Sequence, residues 1–145
     1  MSVTFCVHGP PQGKGRPRLG KFCVYTPQGT AMYENLIRLE YERQVGERHE
    51  VGDGKLEMLV VAYYEIPKSA SKKKKQDMLD GIIRPTKKPD ADNVLKVVAD
   101  SLNHLAYKDD SQIVDAYVRK FYCEKPRIEV TIRPATSKKI FQEGL

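Results

Sequence analysis

The order of periodic segments along the 145-residue chain predicts an α/β fold of α+β character. It is read as a single domain over residues 1–145, a mixed β-sheet packed by helices and ending in an antiparallel hairpin. Three observations carry this. The segment Leu56 to Ile66 is apolar on both faces, helical periods lie before and after it, and two alternating runs near the C-terminus flank a short turn.

Val3, Phe5 and Val7 alternate with Thr4, Cys6 and His8, which predicts a first strand. His8 at its end is either a catalytic acid or base or a structural residue. The strand stops at Gly9-Pro10-Pro11, and Lys14, Arg16 and Arg18 then stand among glycines and prolines that continue neither helix nor strand. Such a loop can bring cations and backbone amides to phosphates, or it is a solvated basic loop. Phe22 to Tyr25 is a short apolar run, and Pro27 to Gly29 a turn. From Thr30 a helix is predicted, with Tyr33, Leu36, Ile37, Tyr41 and Val45 as one stripe and Gly46 or the Gly52/Gly54 segment as its end. It reads as packing, without chemistry.

Leu56, Met58, Val60, Ala62 and Tyr64 form one face of the next strand, and Leu59, Val61 and Tyr63 the other. This predicts a central strand covered on both sides, or one covered on one side by a second subunit. Ser69 to Gly81 reads as a short helix with Ser71 as cap and Lys72, Lys73, Lys74 and Lys75 in its first turn. Cations there oppose the helix dipole by roughly 0.3–1 kcal/mol each. A phosphate backbone would relieve that cost; solubility is the other reading. Arg84, Lys87 and Lys88 carry the positive stretch onward to Asp90.

Lys88 to Ile113 holds the densest chemistry. Val94, Val98, Leu102 and Leu105 recur with the period of one buried helix face, and Asn93, Lys96, Asp100, Asn103 and His104 gather on the opposite side. Asp92 takes the N-cap position, and Pro89 keeps the chain before it extended, so that Asp90 and Asp92 project from one side. Carboxylates so placed can bind a hard cation, with a third from Asp109 or Asp110 beyond the helix. Equally, Asp92, Lys96 and Asp100 are spaced four apart, as in an ion-paired helix face, and Asp109-Asp110-Ser111 can be a plain turn.

After the acidic turn, Val114, Ala116 and Val118 alternate with polar residues. Glu124-Lys125-Pro126 makes a turn, and Ile128, Val130 and Ile132 alternate again, which predicts the closing hairpin. The tail from Pro134 is polar until Ile140-Phe141. The formal net charge of +6 suits a polyanionic partner. Cys6, Cys23 and Cys123 lack metal-type spacing and are odd in number, which argues for reduced thiols. Neither a membrane-length apolar run nor a signal-peptide h-region occurs, so a soluble cytoplasmic protein without a membrane partner is expected.

KPDADN from Lys88, Lys96, ADSL from Ala99 and YKDDSQI from Tyr107 resemble the core of the RusA-type Holliday junction resolvases, Mg²⁺-dependent endonucleases. GPPQGKGRPR from Gly9 and VYTPQGTAMYE from Val24 resemble the branch of that family found in prophage-rich bacteria. The resemblance implies a catalytic set of Asp90, Asp92, Asp110 and Lys96, with the three aspartates as metal ligands and Asp110 preferred over Asp109 as the second acid of its pair. It also implies Mg²⁺ with Mn²⁺ as an alternative, a four-way DNA junction as partner and substrate, a role in recombination and repair, and a homodimer. Lys14, Arg16, Arg18, Lys72 to Lys75, Arg84, Lys87 and Lys88 are the expected DNA contacts. Two rivals stay open: a junction- or duplex-binding protein without catalysis, and a metal-dependent hydrolase of nucleotides or single strands.

Overall fold

Alternating apolar residues sort the strands into a sheet with one dry face. In the computed structural model, which describes residues 1–15, 18–20, 24–25, 28–47 and 50–136, the elements run in the following order. They are β1 (Val3–His8), β2 (Arg18–Leu19), β3 (Val24–Tyr25), α1 (Gln28–Gln44), β4 (Leu56–Glu65), α2 (Lys72–Leu79), α3 (Ala91–Ser101), a 3₁₀ turn (Asp110–Gln112), β5 (Ile113–Cys123) and β6 (Arg127–Pro134). The main sheet is four-stranded and mixed, in the order β1-β6-β4-β5, while β2 and β3 pair as a separate ribbon. Arg16, Phe22, Cys23, Pro27 and Ile140-Phe141 lie outside the described residues.

The mixed sheet, its helices and the central position of β4 are as expected; the closing hairpin is not. β5 and β6 are antiparallel to one another, but β4 lies between them, parallel to β5 and antiparallel to β6. β4, apolar on both faces, takes the middle, and the helical crossover after it returns β5 parallel to it. Residues 124–126 then step across the end of β4. Spanning two strand spacings takes about 9.6 Å, within the roughly 13 Å that four extended residues reach. Alternation reports that both runs are strands, but not which strand sits between them.

The dry face is built from Val3, Phe5 and Val7 of β1, Leu56, Met58, Val60, Ala62 and Tyr64 of β4, and Ile128, Val130 and Ile132 of β6. Tyr33, Ile37 and Tyr41 of α1 and Val94, Val97 and Val98 of α3 close over it, with Phe5 and Tyr41 stacked edge to face at 5.4 Å. Thr30 is buried in α1, whereas Leu36 of the expected stripe is exposed. At the other end of the helix, Gly46, at φ 136°, lets the chain turn away as predicted.

The second face carries Leu59, Val61 and Tyr63, all half-buried. Over Tyr63 and its neighbour Phe121 the chain provides part of that cover itself. Arg127 stacks 4.1 Å over the Tyr63 ring, Arg84 and Arg119 lie 4.2 and 4.8 Å from the Phe121 ring, and Gly81, at φ 77°, turns the segment after α2 toward Phe121. Ser71 caps α2 by accepting a hydrogen bond from Lys74 N at 3.3 Å, as expected.

Candidate active site

α3 begins two residues earlier than its apolar spacing suggested. Asp90, not Asp92, is the N-cap residue, at φ −71° and ψ 154°, and Asp92 lies within the first helical turn instead of an extended segment. The helix also ends at Ser101, so Leu105 belongs to the turn beyond it, where Ala106 N bonds back to Leu102 O at 3.0 Å. Asp90 and Asp92 both still lie at the positive end of the helix dipole, which favours carboxylates there by about 0.3–1 kcal/mol each. Asp90 does not spend its side chain on the cap, and neither carboxylate bonds to a described residue.

The segment entering Asp90 is tied down from two sides. Tyr64 hydroxyl donates to Pro89 O at 2.5 Å, Lys120 Nζ donates to Lys87 O at 2.7 Å, and Arg84 Nε donates to Lys120 O at 3.0 Å. Burial, and after it the Asp90 charge, pushes the Tyr64 hydroxyl pKa up to about 12. From the other side, Lys14 N donates to Asn93 O at 3.0 Å, and Gly13 passes so close that an added Cβ would lie 2.9 Å from Asn93 Cβ and 3.1 Å from Pro89 Cβ. Between these walls opens a cleft of about 450 Å³, lined by Pro10, Pro11, Tyr64, Lys68, Lys87 and Lys88. It lies at the C-terminal end of β4, where open α/β sheets hold their ligands.

The expected cations fall into two groups. Lys14 is held at 2.8 Å from Glu34 and 3.1 Å from Asp100. Burial opposes its charge, but those two hydrogen bonds hold its pKa above the ordinary lysine value. Asp100 is therefore paired with Lys14, and the ladder of Asp92, Lys96 and Asp100 does not form; Lys96 is exposed and joins no ion pair with a described residue. Arg84 is occupied by Phe121 and Lys120, and Lys87 lies 5.6 Å over the Tyr122 ring. Lys72, Lys73, Lys74 and Lys88 are exposed and Lys75 is half-buried; of these only Lys73 nears an acid, Asp77 at 3.9 Å. Arg18 contributes its backbone to β2.

The second acidic pair divides its work. Asp109 accepts the Ser111 hydroxyl, which holds its carboxyl below the usual range, while Gln112 Oε1 accepts Asp109 N at 3.2 Å and the same side chain donates to Gly52 O and Gly54 O at 2.9 Å each. Asp110 N donates to Asn103 Oδ1 at 3.1 Å, and the Asp110 carboxylate bonds to no described residue.

Position separates this acid from the others. Asp110 precedes Ile113, which pairs with Leu56 at the beginning of β4, whereas Pro89 is bonded to Tyr64 near the end of β4. α3 lies between, and its 11 residues put roughly 16 Å between the two acidic groups. Among the described residues, no three metal-ligating side chains converge. Their oxygen chemistry suits a hard divalent cation; their spacing within one chain does not.

Tyr64 and Lys120 were not singled out from the sequence as site residues. Lys120 left a signal: it occupies an inward register position opposite Ala62, between Val118 and Tyr122, where an apolar residue is normal.

Comparison with known proteins comes from two directions. The family described as "Endodeoxyribonuclease RusA" matches residues 8–133, which includes both acidic groups, β4, β5 and all of β6 but its last residue, and only His8 of β1. "Uncharacterized protein YqaN" of Bacillus subtilis (strain 168) is 43% identical over 141 residues, covering 93% of this chain and 98% of that one.

Proposed function

Because the chain belongs to the RusA endodeoxyribonuclease family, we propose that it cuts four-way DNA junctions, in recombination and repair, by hydrolysing phosphodiesters. What carries the reading is the pair Asp90 and Asp92. These two have no ion-pair partner among the described residues and lie at a helix N-terminus beside a lysine-lined cleft, which other unpaired acids such as Glu42 and Glu124 do not. Asp90, Asp92 and Asp110 are the proposed ligands of Mg²⁺ or Mn²⁺, which when bound would polarise the phosphoryl group and its attacking water. Asp110 is preferred over Asp109 because its carboxylate is uncommitted.

The chain's own groups bind and orient. Lys68, Lys87 and Lys88 line the cleft toward the phosphate backbone, and Lys72 to Lys75 extend that surface along α2. Lys96, one turn below Asp92 on the exposed side of α3, is placed to meet developing negative charge on phosphorus. Lys14 positions: it joins α1 to α3 and holds the segment 9–14 against the site. The proposed assembly is a two-fold homodimer, matching the approximate symmetry of the junction, and the proposed location is the cytoplasm. No helix among the described residues is long and apolar enough to cross a membrane.

The test is incubation of the protein with labelled four-way junction, linear duplex and single strand, with Mg²⁺ or with EDTA. Symmetric nicks confined to the junction and abolished by EDTA support the reading. Junction binding without nicks refutes it in favour of the non-catalytic binder, which the distance of Asp110 from Asp90 favours; cleavage of single strands alone points to the other hydrolase.

A further inference from the structure

The Asp110 carboxylate bonds to no described residue, so its direction is set by the backbone that carries it. That backbone lies in the turn between buried Tyr107 and the start of β5, where Asp110–Gln112 form a single 3₁₀ turn. One turn gains too few hydrogen bonds of its own to offset the cost of ordering it, so its conformation is imposed by what it is tied to.

One side chain supplies most of those ties. Gln112 Oε1 accepts Lys108 N at 3.0 Å and Asp109 N at 3.2 Å, and its Nε2 donates to Gly52 O and Gly54 O at 2.9 Å each. A carboxamide has two acceptor sites and two donor hydrogens, so Gln112 commits its full capacity to backbone groups. It joins the residues before Asp110 to the loop that leads into β4, while Asn103 Oδ1 accepts Asp110 N at 3.1 Å from just beyond α3. Glutamate in its place lacks the donors, and asparagine is one methylene too short. A side chain that only ended the turn would need the two bonds to Lys108 and Asp109; the other two brace the turn against a segment far away in the sequence. We infer that Gln112 is a positioning residue for the reaction, fixing the direction of the Asp110 carboxylate through the backbone on either side of it. This rests on the nuclease reading and adds a residue that acts only through Asp110. Partners that orient a ligating or reacting group in this way are worth about 10–100-fold in metal affinity or activity.

The test compares the wild type with Gln112→Glu, which keeps the acceptors and loses both donors, and Gln112→Met, which keeps neither. Lys108→Ala serves as the control on the same turn, since it removes the pair with Asp53 at 3.3 Å and none of the four Gln112 bonds. Circular dichroism and urea midpoints establish that each variant is folded at the assay temperature; if Gln112→Met is not, Gln112→Glu carries the comparison. Three quantities are measured: Mn²⁺ affinity without DNA by electron paramagnetic resonance, junction affinity in EDTA, and kcat for junction cleavage with Mg²⁺. In the Gln112 variants Mn²⁺ affinity and kcat should each fall about 10–100-fold, further in Gln112→Met than in Gln112→Glu, with junction affinity unchanged. Lys108→Ala should match the wild type in all three. A lowered urea midpoint with unchanged Mn²⁺ affinity and kcat would make Gln112 a plain cap of the turn and overturn the inference. So would an equal loss in Lys108→Ala, or a fall in junction affinity that matches the fall in kcat. Wild-type protein whose Mn²⁺ affinity depends on Gln112 as expected, but which leaves junctions uncut, would overturn the nuclease reading alone.

Discussion

Gly13→Ala puts one methyl group where the segment from β1 meets α3. The new Cβ would sit 2.9 Å from Asn93 Cβ and 3.1 Å from Pro89 Cβ. Carbon atoms rest at about 3.5–4.0 Å, so the segment must retreat by roughly 0.5–1 Å. Neither neighbour yields easily, since Asn93 precedes fully buried Val94 on α3 and Pro89 O is held by Tyr64. Overpacking of this kind costs about 1–3 kcal/mol, and weakening the Lys14 N to Asn93 O bond adds about 1 kcal/mol. Ala restricts the unfolded chain and returns about 0.4–1 kcal/mol. The net expectation is a loss of about 1–3 kcal/mol, read as a lower urea midpoint at unchanged slope. Junction affinity should fall with it, because Pro10, Pro11 and Lys14 move with the segment. A variant as stable as wild type, or more so, would refute the tight seating of Gly13.

Asp90→Asn, Asp92→Asn and Asp110→Asn should each abolish cleavage with junction binding unchanged or tighter, whereas Asp109→Asn should retain cleavage; normal cutting by all of the first three refutes the acid assignment. Lys96→Ala should lower kcat with little change in affinity, and an equal loss of binding would make Lys96 a phosphate contact. Alanine at Lys72 to Lys75 should weaken binding to every DNA shape and flatten the salt dependence by about one log-log unit per lost phosphate contact; an unchanged slope returns the run to solubility. Burial raises the hydroxyl pKa of Tyr33, Tyr41 and Tyr64 to about 12 and that of Tyr107 further. The folded state keeps protons that the unfolded state releases above pH ~10, so this stability is complete below that pH and is lost as pH rises through 12. Urea midpoints at pH 8, 10 and 11.5 check the sign, and a midpoint that rises over that range contradicts it.

The sequence revealed what is local and repetitive. The core face of α3, the two faces of β4 and the Ser71 cap follow from periods and from one hydroxyl, all visible in short windows. Helix ends were less visible, because Asp90 and Asp92 are equally good caps on paper and the apolar period continues through Leu105 after the backbone has turned. Partner choice was hidden wherever a distant segment competes. Lys96 was the sequence neighbour of Asp100, but Lys14 reaches that carboxylate after the chain has folded back. The same limit applies to the acids: both groups were found from spacing, yet only the direction of β5 relative to α3 shows how far apart they stand.

The pairing of the first strand with the last has a consequence for how the protein is made. Val3 pairs with Ile132, and among the described residues β1 has no other strand neighbour in the main sheet. At translation rates of 5–20 residues per second, β1 waits roughly 6–26 s for its partner to be synthesised. Until then the segment 9–14, which follows β1 and walls the cleft, has no fixed origin. β6 thus acts as the latch, and a nascent chain that lacks it has the acids of α3 but no seated wall beside them; the site matures only once β6 has been made.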